Sequence, residues 1–245
     1  MKTRVWITGA SSGIGKAVAL EMAARGYDLI ISGRNLDALQ QLADQTGAYV
    51  LAFDATDKQA NLDAAQDLKQ QYGHIDIVFL NAGNCEYVDV KEFKSDIFER
   101  MMKTNFISMV YGVEAALPLL KASKIPQLVG MSSAVAFLGL PRSEAYGASK
   151  AAIRNFLQGL RLSLYREKIK VSIVYPGFVK TRLTDKNDFP MPMLITAEQA
   201  ARKIVAGIEN KKLDIYVPVF FVQLTRLISM LPSKMSSYIL RALLR

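Results

Sequence analysis

The sequence predicts an α/β fold: a doubly wound parallel sheet in a single domain, closed by a short C-terminal helical appendage. Three observations carry this. Short apolar runs alternate with helical patterns at the spacing of βα units. The runs are nearly unbroken rather than alternating, which suits parallel strands covered on both faces. The 245 residues, 51% hydrophobic and 22% charged, are enough for one such domain, and no repeat or linker divides them.

The elements follow in chain order. Residues 5–8 read as a strand and 14–25 as a helix. Residues 29–32 are the second strand, and a helix over 36–45 starts behind Asn35 as N-cap. A third strand over 49–53 precedes a helix over 59–71, and a fourth spans 75–80. One long helix covers 95–120. The fifth strand is 127–131, followed by a helix over 146–166 and a sixth strand over 171–175. Thr196 and Gln199 have capping-box spacing at the start of a helix over 196–208. A last strand covers 213–217. Two short amphipathic helices, 219–231 and 235–244, flank Pro232. Phe220, Leu224, Leu227, Ile228 and Leu231 share one face of the first, and Met235, Ile239 and Leu243 one face of the second. The division is therefore a main unit over 1–218 and an appendage over 219–245.

Composition narrows the chemistry. One Cys, Cys85, excludes an internal disulfide framework and a Cys-based zinc site, and one His, His74, excludes His-cluster metal chemistry. No metal site is expected. Acid–base work falls to Tyr, Lys, Asp and Glu. No apolar run is long enough for a membrane span, and the short polar N-terminus does not read as a signal peptide, so a cytoplasmic setting is expected. The formal charge is +9, yet no dense basic cluster interleaved with aromatics points to nucleic acid. After Asp214 there is no acidic residue, while Arg226, Lys234, Arg241 and Arg245 remain. A peripheral membrane contact through 219–245 is one reading; docking on the domain and a subunit contact are the others.

The first strand ends in Thr8-Gly9-Ala10-Ser11-Ser12-Gly13-Ile14-Gly15. Gly9 permits the tight turn, Gly13 lets backbone approach a pyrophosphate, and Gly15 lets the helix pack close to the sheet. The helix N-terminus then faces the anion with free N–H groups and its dipole. Ser133, Tyr146 and Lys150 form S-x12-Y-x3-K. Tyr146 and Lys150, four apart, share a helix face with about 6 Å between Cβ atoms. A free phenol has a pKa near 10, and making it a base at neutrality takes roughly 4 kcal/mol of differential interaction. A neighbouring ammonium supplies part of that.

With these motifs, and with T-G-x-x-x-G-x-G spacing, the chain resembles the short-chain dehydrogenase/reductase family over roughly residues 3–210. The resemblance implies a Rossmann-type fold and an NAD(P)-dependent oxidoreductase acting on a carbonyl or secondary alcohol through the cofactor's pro-S hydrogen. It implies a tetrad of Asn105, Ser133, Tyr146 and Lys150. Tyr146 would exchange the proton, Ser133 hold the substrate oxygen, and Lys150 tune Tyr146 and anchor the nicotinamide ribose. Asn105 would sit at a bend in the long helix and hold a proton-carrying water. Cofactor contacts are implied at Gly9, Ser11, Ser12, Gly13, Ile14, Gly15, Asp54, Ala55, Asn81, Ala82, Gly83, Pro176, Gly177, Val179 and Thr181. Leu80 replaces the first Asn of the usual Asn-Asn-Ala-Gly.

At the end of the second strand an acidic residue would select NAD(H). Gly33 and Arg34 stand there instead, and a guanidinium suits a 2′-phosphate, so NADP(H) is expected, with NAD(H) second. Residues 178–195 read as a substrate loop. Ser133, Phe137, Tyr146, Phe178 and Leu183 are the expected substrate contacts, in an apolar pocket that favours an apolar or lipid-like substrate. Homodimers or homotetramers are expected. A non-catalytic dinucleotide-binding sensor is the alternative; the intact Tyr146–Lys150 pair favours the enzyme.

Overall fold

The computed structural model describes residues 2–185 and 187–243. Seven strands form one parallel sheet: β1 (Arg4–Thr8), β2 (Asp28–Gly33), β3 (Tyr49–Ala52), β4 (Ile77–Leu80), β5 (Gln127–Met131), β6 (Lys170–Pro176) and β9 (Asp214–Val217), in the order β3-β2-β1-β4-β5-β6-β9. The order reverses between β1 and β4, which pair with Thr8 opposite Leu80. Strands that diverge in connection at this point leave a crevice at their carboxyl ends. β7 (Val179–Lys180) and β8 (Ile195–Thr196) form a separate pair that pins both ends of the substrate loop.

The helices cover both faces. α1 (Gly13–Ala24), α2 (Leu36–Thr46) and α7 (Ala197–Glu209) pack on one, and α3 (Lys58–Tyr72), α5 (Ser108–Lys121) and α6 (Glu144–Ser163) on the other. This is why the central strands carry apolar side chains on both sides: Val5 and Ile7 belong to one core, Trp6 to the other. The caps follow the sequence. Asn35 accepts the Ala38 N–H at 3.0 Å, and Thr196 and Gln199 close a reciprocal box at 3.2 and 3.0 Å.

The long helix after β4 is composite. α4 (Ser95–Met101) runs through a π-helical turn, Met102–Ile107, into α5. The expected bend at Asn105 is this π turn. The appendage is two helices, α8 (Val219–Ser229) and α9 (Ser233–Leu243). One expectation is corrected here: Ile228 lies on the buried side of α8 with Val222, while Phe220, Leu224 and Leu227 face outward. α8 carries apolar side chains on both its inward and its outward side, so periodicity alone does not say which side packs. The Leu243 side chain, Leu244 and Arg245 lie outside the described residues. Among the described residues no helix is long and apolar enough to cross a membrane.

Candidate active site

A cleft of about 430 Å³ opens at the carboxyl edge beside the β1/β4 crevice. Its floor is the glycine turn. Gly9 has φ +66°, and a Cβ there would come within 2.8 Å of the Ala82 Cα. A Cβ on Gly15 would lie 2.3 Å from the Gly9 carbonyl oxygen, so Gly15 serves helix packing and does not itself line the cleft. The Asn81 amide donates to the Thr8 and Gly9 carbonyls at 3.2 and 3.1 Å, and its own N–H donates to Thr8 Oγ1. Asn81 therefore laces β4 to the turn. Leu80 is buried against Gly112, a core position that has no use for the missing Asn.

The turn fits a dinucleotide. α1 starts without a side-chain cap, as α4, α6 and α8 also do, and has no acidic residue in its first turn. Its leading amides face the cleft through Ser12, Gly13 and Ile14, where an anion is favoured. Gly13 has φ +56° and lines the cleft, and a Cβ there would meet only the Thr181 side chain, at 3.4 Å.

One end of the cleft holds charges near water. Arg34 is 78% exposed and lies 3.8 Å from Asp54. Burial alone would push the Asp54 carboxyl up. Hydrogen bonds from the Thr56 N–H and hydroxyl, both 2.9 Å, and the positive charges of Arg34 and Lys103 outweigh it and hold the carboxyl below its ordinary value. Asp54 thus closes a turn on Thr56 as well as lining the cleft.

The other end holds Tyr146 and Lys150 on α6. Lys150 is 3% exposed. Its ammonium donates to the Met131 carbonyl at 3.0 Å and stands 5.7 Å from the centre of the Tyr146 ring. Burial brings Lys150 down to about 8. Burial also pushes the Tyr146 phenol up, helped by Cys85 and Tyr87, while the Ser133 hydroxyl works against it. Near neutral pH an amine at about 8 is still mostly protonated, so its positive charge stands beside the phenol while burial holds the phenol up.

Asn105 is fully buried on the π turn. Its amide donates to the Asn84 carbonyl and to Ser149 Oγ, both at 2.9 Å, and its oxygen accepts the Asn84 N–H at 2.7 Å. Ser149 in turn donates to the Tyr146 carbonyl at 2.7 Å. A Cβ on Gly83 would sit 2.9 Å from that amide oxygen and 3.5 Å from Lys150 Nζ, so only glycine lets this strand end close on both. Ser133 is buried and weakly engaged, 3.3 Å from the Val135 N–H and 3.5 Å from the Pro176 carbonyl. Ser133 does not itself line the cleft; its hydroxyl stands by the Tyr146 phenol, which does, and keeps capacity for a substrate oxygen.

Of the expected residues, Gly9, Ser11, Ser12, Gly13, Ile14, Arg34, Asp54, Ala55, Asn81, Ala82, Gly83, Tyr146, Lys150, Pro176, Thr181 and Leu183 line the cleft. Others are placed elsewhere. Gly177 takes the Phe221 ring, which a Cβ would meet at 2.5 Å. Val179 is buried, and its carbonyl already accepts the Thr184 hydroxyl at 2.9 Å. Phe137 packs with Tyr175 and Tyr216, and Phe178 with Phe189 and Phe221; neither lines the cleft. Aromatic side chains next to a site in sequence were drawn into aromatic clusters beside it. Asn84, Ser149 and Arg182 were missed. The first two adjoin Gly83 and Lys150 and fix Asn105; Arg182 follows Thr181 and lines the cleft. Among the described residues no cluster of His, Cys, Asp or Glu is arranged for a metal.

The comparisons agree with this geometry. The short chain dehydrogenase family model matches residues 3–192. A Myxococcus xanthus (strain DK1622) protein described as an uncharacterized oxidoreductase is 34% identical over 93% of this chain and 92% of its own length. Dehydrogenase/reductase SDR family member 7B of Bos taurus is 30% identical, over 86% of this chain and 72% of its own. The crystal structure of a short-chain dehydrogenase from Streptomyces avermitilis superposes with a TM-score of 0.81 at 25% identity, covering 91% of each chain. A matching family model over most of the chain, laid on a sheet that puts the Tyr146–Lys150 pair and the glycine turn around one cleft, makes this chain a member of the short-chain dehydrogenase/reductase family of oxidoreductases.

Proposed function

We propose an NADP(H)-dependent oxidoreductase that interconverts a carbonyl and a secondary alcohol on an apolar or lipid-like substrate. The observation that carries it is the joint presence of Tyr146, Lys150 and the uncapped start of α1 in a single cleft. The dinucleotide supplies or takes up the hydride. The chain's own residues do the rest. Ser11, Ser12, Gly13 and Ile14 hold the pyrophosphate, and Arg34 takes a 2′-phosphate in place of its loose partner Asp54. Tyr146 gives its phenolic proton to the carbonyl oxygen in reduction and takes one from the alcohol in oxidation. Ser133 donates to that oxygen and stabilises its developing charge. The phenol keeps its proton near neutral pH for reduction, and the positive charge of Lys150 beside it favours the phenolate that oxidation needs.

Lys150 holds the nicotinamide ribose. Asn84 and Ser149 use both donors of the Asn105 amide and Asn84 one lone pair of its oxygen, which leaves the oxygen's second lone pair and the backbone to hold a proton-carrying water. The appendage over 219–245 makes peripheral membrane contact, and the protein works as a homo-oligomer in the cytoplasm. A panel of ketones and secondary alcohols, followed by NADPH absorbance against NADH, tests the reading. Turnover with NADPH on long-chain ketones supports it; turnover confined to NADH, or none with any carbonyl while NADPH binds, overturns it. The second outcome is the non-catalytic sensor.

A further inference from the structure

The carboxyl edge of the sheet carries more than the cleft. β9, the last strand of the sheet, runs parallel to β6, so it ends at that edge and α8 leaves from there. The inward side of α8 is Val222 and Ile228, with Phe221 against Gly177. Its outward side shows Phe220 at 67% and Leu227 at 60% exposure, with Leu224 between them and Met230 beyond; Met235 and Tyr238 on α9 are exposed too. These are contiguous apolar positions on a free helix face, which calls for a covering partner.

Charge says which partner. From Val219 to Leu243 the charged residues are Arg226, Lys234 and Arg241, with no acid. Arg226, on α8, donates to the Tyr216 hydroxyl of β9 at 2.9 Å. A second copy laid on this face would oppose cation to cation, whereas anionic headgroups neutralise them. Helices of 11 residues lie in a bilayer interface rather than span it.

The face is also joined to the site. The Phe221 ring sits on Gly177 and 5.4 Å from the Phe178 ring, and Phe178 packs on Phe189 of the substrate loop at 6.1 Å. Leu194, near the end of that loop, is exposed.

We propose that α8 and α9 dock on an anionic lipid surface through this outward face, with the substrate mouth of the cleft turned toward the same surface, so that the substrate is drawn from the lipid. This goes beyond peripheral contact by assigning the docking face and the orientation; only its last clause rests on the apolar-substrate reading.

Sedimentation of the full chain with vesicles reads docking without turnover. Phosphatidylcholine vesicles with about a third phosphatidylglycerol should pull the protein down, pure phosphatidylcholine much less, and added salt should weaken the effect. Phe220→Ser and Leu227→Ser should each lower partitioning about tenfold. Leu194→Ser should lower it too. Leu162→Ser, equally apolar and 78% exposed but at the end of α6 on the opposite edge, should not. Circular dichroism and NADPH titration confirm that each variant is folded. Docking is overturned by absence of sedimentation, by binding that ignores Phe220→Ser and Leu227→Ser, or by a dimer that those variants split in the ultracentrifuge. An inert Leu194→Ser overturns the orientation alone. The ketone panel with NADPH decides the reaction separately, so its failure is distinct from a failure to dock.

Discussion

The two ends of the cleft solve electrostatics in opposite ways. At the Arg34 end the groups are near water, and hydrogen bonds and opposite charges decide: Asp54 stays ionised below its ordinary range. At the Tyr146 end burial decides: Lys150 falls to about 8 and the phenol rises. The same side-chain types would behave differently if exchanged between the ends. The wet end is suited to holding a fixed anion, the dry end to moving a proton, because only there is the charged form costly enough to be given up near neutral pH.

Tyr146→Phe gives the largest effect. It removes the transferable proton and keeps the ring, so turnover should fall about 10²–10⁴-fold with NADPH affinity nearly unchanged. A variant retaining most of its kcat on an identified ketone breaks the contrast. Lys150→Met tests burial directly. Below pH 8 the amine is charged in both folded and unfolded chains, and burying that charge costs stability. Between pH 8 and 10.5 the folded chain has released the proton and the unfolded chain has not, so the cost declines as pH rises. The penalty at pH 7 is on the order of 3 kcal/mol, partly offset by the hydrogen bond to Met131. Lys150→Met should therefore melt higher relative to the parent at pH 7 than at pH 10, while losing activity and ribose affinity. A melting difference that is flat with pH would show that the amine is not dry.

Arg34→Ala should weaken NADPH by about 1.5–3 kcal/mol and leave NADH little changed, read by fluorescence titration with each cofactor. The lower figure is the better expectation, since exposure at Arg34 screens the contact. Equal losses for both cofactors would make Arg34 structural. Asn35→Ala, beside it, should cost about 1 kcal/mol of stability through the lost cap of α2 and leave kcat alone; a fall in kcat would tie this end to the chemistry.

The sheet was legible in the sequence because strands covered on both faces leave unbroken apolar runs. The glycine turn and the Tyr146–Lys150 pair were legible because their spacing is set by backbone geometry. What stayed hidden depends on which way a side chain turns. Phe137 and Phe178 stand next to the site in sequence, yet each ring found other aromatics to pack on. α8 has apolar residues on both sides, so its docked side is set by the Gly177 gap that receives Phe221. The role of Asn84 came from its backbone, to which residue type is no guide.

The π turn at Met102–Ile107 has one further consequence. Geometrically it is a helix carrying one residue more than regular winding needs, and a lineage can gain or lose such a residue in a single codon event. Deleting Lys103, which is exposed, would return the segment to regular α winding at little cost to α5, whose Ser108 hydroxyl already braces the Thr104 carbonyl at 2.6 Å. It would also swing Asn105 about 100° around the axis and away from Asn84 and Ser149. A chain shortened there should fold as well as its parent and catalyse poorly. Codon deletions at this turn are the place to look for descendants of the enzyme that kept the fold and gave up the reaction.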